Sequence, residues 1–115
     1  MDNISKKVCV IGLGYIGLPT AATMASRGYQ VLGIDISEHA VNTINAGNIH
    51  IVEPDLDMLV RGSVTDGKLI AKLALEASDN CDIYMIAVPT PLLDNKKPNL
   101  NYVKSAVESL APFLG

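Results

Sequence analysis

The chain has 115 residues, 49% of them apolar and 18% charged, a balance that excludes intrinsic disorder and provides one domain's worth of core. Twelve acidic against nine basic residues give a formal net charge of −3 with no basic block, which excludes nucleic acid as a partner. Two cysteines, Cys9 and Cys81, are too few for a disulfide scaffold and point to a reducing, cytoplasmic setting. Nineteen uncharged residues, 8 to 26, approach the length that spans a bilayer, but Gly12, Gly14, Gly17 and Pro19 among them argue against a membrane span or signal peptide.

The first apolar run, Lys7-Val8-Cys9-Val10-Ile11, is short, β-branched and stopped by Gly12, as a buried parallel strand should be. Residues 15–27 carry Ile16, Ala21, Met24 and Ala25 at near-helical spacing, and Gly28 stands where a left-handed cap is wanted. A second strand, residues 30–35, ends in an acid, and Ser37 caps a helix through Ala40, Val41 and Ile44 that stops at Gly47. Ile49-His50-Ile51-Val52 suits a short extended piece. Pro54 at a first helical position, with Asp55 and Asp57 after it, predicts a short helix to Val60, broken by Gly62 and Gly67. Residues 69–73 fit either a third strand or a helix. Residues 83–88 predict a buried strand, and residues 99–110 an amphipathic helix. Met24, Met58 and Met85 read as core filler, and His39 and His50 as surface or loop residues without metal-ligand spacing. Strands alternating with helices make the fold α/β, a doubly wound parallel sheet of Rossmann type.

Gly12-Leu13-Gly14-Tyr15-Ile16-Gly17 has the G-x-G-x-x-G spacing between a predicted strand and a predicted helix. The first glycine makes the tight turn, the second lets backbone approach a pyrophosphate, and the third lets helix pack on strand. The amides of Tyr15 and Ile16 would meet the phosphates at the helix N-terminus. Asp35 follows Gly17 by 18 residues, close to the spacing at which a carboxylate accepts hydrogen bonds from ribose hydroxyls. Such a carboxylate repels a 2′-phosphate, and no Arg or Lys lies between Asp35 and Ala46 to receive one, so the cofactor is NAD rather than NADP. Val88-Pro89-Thr90-Pro91, closing a strand, offers the Thr90 hydroxyl on a Pro-stiffened loop near the same crevice.

These stretches, together with Gly33-Ile34-Asp35-Ile36 and Ile49-His50-Ile51-Val52-Glu53-Pro54-Asp55-Leu56, resemble the UDP-glucose/GDP-mannose dehydrogenase family across nearly the whole chain. Within it, residues 50–56 look most like the members acting on UDP-N-acetyl-D-mannosamine. The resemblance implies oxidation of the C6 alcohol of a UDP-sugar to a carboxylate in two NAD-dependent steps, for surface polysaccharide synthesis. It implies that the amides of Tyr15 and Ile16, the carboxylate of Asp35, and Thr90 with Pro89 hold NAD, with Glu53 in a loop bordering the cleft. It further implies that residues 1–115 are an incomplete N-terminal NAD-binding part, a sheet truncated after its first half. The catalytic cysteine, lysine and asparagine and the UDP-sugar-binding domains would then lie beyond its end, and the parent would be a homo-oligomer. Neither cysteine here is placed to serve as the nucleophile. Another G-x-G-x-x-G dehydrogenase and a non-catalytic NAD sensor remain the alternative readings.

Overall fold

A computed structural model describes residues 6–76, 79–88 and 100–113. In chain order the elements are β1 (Lys7–Ile11), α1 (Gly17–Ser26), β2 (Gln30–Ile34), α2 (Glu38–Asn45), α3 (Leu56–Thr65), β3 (Leu69–Lys72), β4 (Ile83–Ile86), α4 (Asn101–Leu110) and a 3₁₀ turn, Ala111–Phe113. The four strands form one parallel sheet in the order β3-β2-β1-β4, with Val10 opposite Gly33 on one side and Met85 on the other. Chain order reverses at β1, so the crevice beyond the carboxyl ends of β1 and β4 is the switch point where such sheets bind ligands.

Alternation along each strand divides the core. Val8, Val10, Val31, Leu69 and Ala71 face α1, α2 and α3 and pack with Leu18, Ala21, Ala25, Val41, Ile44, Leu56 and Val60. Cys9, Ile11, Leu32 and Ile34 face the other way, under Ala106 and Leu110 of α4. Burying each aliphatic side chain contributes roughly 1.5–3 kcal/mol.

The helix boundaries follow from local chemistry. Helices α1, α2 and α3 end alike: Tyr29, Asn48 and Lys68 donate to the carbonyls of Met24, Thr43 and Ser63, with Gly28, Gly47 and Gly67 at positive φ just before them. The Ser37 hydroxyl accepts from the Ala40 amide at 3.2 Å and starts α2. Asn45, the last residue of α2, donates to the Ala71 carbonyl and accepts from its amide, both at 2.8 Å, so its side chain closes the outer edge of β3.

Several expectations are corrected. Residues 49–52 form no strand; at a bend Ile51 instead drops into the core, with Ile49 packed against it. Helix α3 runs through Gly62 to Thr65, because Leu56 and Val60 pack against the core and outweigh the roughly 1 kcal/mol propensity cost of an internal glycine. Asp55, not Pro54, sits at its start, in the left-handed region at φ 64°. Residues 69–72 are a strand, settling the helix alternative. β4 is an edge among the described residues, with Ile83, Met85 and Ile86 partly exposed rather than buried. Met58 and Met85 are exposed, and of the three methionines only Met24 packs on the core. The uncharged stretch from 8 to 26 is β1, a turn and the ten-residue α1, and no helix among the described residues is long and apolar enough to cross a membrane.

Candidate functional site

The turn from β1 into α1 is shaped by contacts that tolerate no side chain. Gly12 has φ +97°, and a Cβ there would lie 2.5 Å from the Ala87 carbonyl oxygen at the end of β4. A Cβ on Gly17 would come within 1.7 Å of the Gly12 oxygen, so the third glycine exists to let helix close on loop. Between them Leu13 turns inward, fully buried, its side chain lying over Gly33 of β2. A glycine inside a strand pattern marks such a close approach, and Gly33 was the legible signal for it.

Gly14 differs from its neighbours. A Cβ built on it would meet no atom of the described residues within 4 Å beyond its own chain neighbours, so among them nothing requires glycine there. The space lies on a cleft of about 850 Å³ lined by Gly12, Gly14, Tyr15, Ile16 and Asp35, and closed further out by Ile36, residues 73–75, Val88 and α4. Helix α1 has no side-chain cap and no acid in its first turn. The amides of Tyr15 and Ile16 meet no acceptor among the described residues. An uncompensated helix N-terminus beside unmet amides favours an anion.

Asp35 faces this loop. Its Oδ2 accepts from the Leu13 amide at 2.8 Å and its Oδ1 from the Ser37 amide at 2.9 Å, which fixes the carboxylate while leaving each oxygen a lone pair for a further donor. It is the single charged side chain lining the cleft among the described residues. The nearest cation on the neighbouring strand, Lys72, is already engaged by Asp79 at 2.9 Å and Glu76 at 3.4 Å. The residues present therefore fit a dinucleotide: a bare backbone cradle with free donors for a diphosphate, and an anchored acceptor for a diol.

Of the site residues expected from sequence, Gly12, Gly14, Tyr15, Ile16 and Asp35 come together on the cleft, and Gly17 lies behind it as packing. Pro89 and Thr90 fall outside the described residues. Sequence reasoning missed the apolar wall from residues 73–75 and the wall of small residues, Ser105, Ala106 and Ser109, from α4. It also passed over Ile36, 86% exposed beside the key acid, an unusual place for a large apolar side chain on a folded chain.

The cysteines are unsuited to nucleophilic work. Cys9 is fully buried, and burial, followed by the neighbouring Cys81, pushes its thiol up to about 12. Burial also raises the half-buried Cys81.

Comparison with known proteins agrees with this geometry. Residues 6–115 match the model of the UDP-glucose/GDP-mannose dehydrogenase family, NAD binding domain. The chain is 56% identical to an NDP-N-acetyl-D-galactosaminuronic acid dehydrogenase of Ralstonia nicotianae, over 99% of its own length and 26% of that protein's. It is 55% identical to the UDP-N-acetyl-D-mannosamine dehydrogenase of Escherichia coli, over 93% of its own length and 25% of the relative's. It superposes on the UDP-N-acetyl-mannosamine dehydrogenase of Staphylococcus aureus with a TM-score of 0.88 at 39% identity, covering 95% of this chain and 26% of that one. The chain thus spans about a quarter of the length of the relatives it matches. It belongs to the UDP-glucose/GDP-mannose dehydrogenase family, matching that family's NAD-binding domain over residues 6–115.

Proposed function

We propose that this chain holds NAD for a nucleotide-sugar 6-dehydrogenase, which oxidises the C6 alcohol of a UDP-sugar to the uronate in two NAD-dependent steps. Bound NAD supplies the hydride acceptor. The chain's own part is binding: Gly12 and Gly17 set the turn, Gly14 admits the diphosphate, the amides of Tyr15 and Ile16 donate to it, and Asp35 accepts from the adenosine ribose hydroxyls. Thr90, which follows Pro89 in the sequence after β4, is proposed to add a hydroxyl to the same site. The observation that carries this reading is the pairing of an open Gly14 cradle with the Asp35 carboxylate anchored on the Leu13 amide.

UDP-N-acetyl-D-mannosamine is the substrate we favour, supported by relatives named for it at up to 55% identity. The 56% identity to a protein named for an N-acetylgalactosaminuronic product supports 2-acetamido sugar nucleotides as the wider class. The groups acting on the sugar belong outside this chain, in keeping with two cysteines that both hold their protons tightly. The parent enzyme is proposed to be a cytoplasmic homo-oligomer serving polysaccharide synthesis.

The test is a calorimetric titration with NADH and with NADPH, repeated on Asp35→Asn. NADH should bind in preference, and the substitution should weaken it by roughly tenfold or more, the worth of hydrogen bonds to a charged acceptor. Equal binding of the two dinucleotides by the unsubstituted chain, or an unchanged NADH affinity in Asp35→Asn, would refute the assignment.

A further inference from the structure

Residues 73–75 wall the cleft directly beside Asp35, whose amide donates to the Lys72 carbonyl at 3.1 Å. This segment follows β3, on the side of β2 away from the glycine loop. The dinucleotide end that runs past Asp35 is the adenosine end. Leu73 and Ile36, exposed at 47% and 86%, both line the cleft there and offer apolar surface to a flat ring.

What holds that wall is a nearly buried carboxylate. The Asp79 side chain is 10% exposed and uses both oxygens: Oδ1 accepts from Lys72 Nζ at 2.9 Å and Oδ2 from the Glu76 amide at 2.7 Å. The Asp79 amide returns a bond to the Glu76 carbonyl at 3.0 Å, and Lys72 Nζ also lies 3.4 Å from Glu76 Oε1. One carboxylate therefore binds the residue at which β3 ends and the residue at which the wall segment closes. Burial by itself would raise the Asp79 carboxyl, but the Glu76 amide and the Lys72 ammonium outweigh it and hold it below its usual range. A desolvated charge is tolerated only when so paired, and the pairing fixes the backbone between its partners.

We propose that Asp79 is a positioning residue for the adenosine half of the NAD site, acting through residues 73–75, which it staples to the end of β3. The inference rests on the cleft being the dinucleotide site. It makes Lys72 part of the same device: its cation is spent on the staple. Preorganising the wall spares the ligand the cost of ordering it on binding.

The experiment titrates NADH and ADP-ribose against the intact protein and against Asp79→Asn, Asp79→Glu and Lys72→Met, with a melting temperature for each. Asp79→Asn and Lys72→Met should weaken NADH and ADP-ribose alike, by about tenfold, and Asp79→Glu should recover part of the loss. Lys72→Met keeps the test decisive if Asp79→Asn does not fold, since Lys72 sits at a partly exposed position. Lowered melting temperatures with both affinities within about twofold of the parent would mean a merely structural ion pair and would overturn the proposal. Failure of the unsubstituted protein to bind either ligand would overturn the dinucleotide reading beneath it.

Discussion

The two faces of the sheet are built to different standards. On one, α1, α2 and α3 lay a continuous apolar layer over β1, β2 and β3, and the glycine loop is locked into it through Leu13 and Gly33. On the other, among the described residues, α4 covers the sheet with Ala106 and Leu110, and Ile86 of β4, beside Ile11, stays partly exposed. The lesson is about where rigidity is needed. Backbone amides can serve as phosphate donors only if the chain carrying them cannot move, so the loop belongs to the densely packed face.

The comparison breaks most easily at Gly17. Adding a methyl 1.7 Å from the Gly12 carbonyl oxygen leaves no room for helix against loop. Gly17→Ala should destabilise the chain by about 4 kcal/mol or more, read from urea midpoints. A next test sets the two faces against each other: Leu18→Ala, in the dense layer, should cost about 3–4 kcal/mol, and Leu110→Ala, under α4, about 2 kcal/mol. Equal losses would erase the distinction.

A third effect is a pH dependence on the sparser face. The Cys9 thiol stays protonated in the folded chain up to about 12, against an ordinary 9.0 when unfolded. The unfolded chain therefore loses this proton first, and the contribution, complete below pH 9, is lost as pH rises through that window. Cys9→Val should make the decline in urea midpoint between pH 9 and 11 shallower. An unchanged slope would mean that Cys9 does not titrate as its burial implies.

Much of the dense face was legible because its signals are local. Apolar β-branched runs, G-x-G-x-x-G, Ser37 before a helix and glycines after helix ends each act within a few residues. What escaped the sequence depends on tertiary context. Whether Ile83 to Ile86 is covered turns on which strand pairs with β1, and α3 passes through Gly62 only because Val60 has a core to enter. The Asp79 staple joins side chains seven residues apart across a bend, a spacing without a periodic signature. Ile36 and residues 73–75 become a wall only once β2 and β3 lie side by side.

The most direct test of the central claim is Gly14→Ala, measured for both stability and NADH binding. A methyl there meets no atom of the described residues within 4 Å beyond its chain neighbours, so the stability read from the urea midpoint should stay within about 1 kcal/mol of the parent, while NADH affinity should fall at least roughly tenfold as the cradle for the diphosphate fills. A stable variant that binds NADH as tightly as the parent would contradict the account.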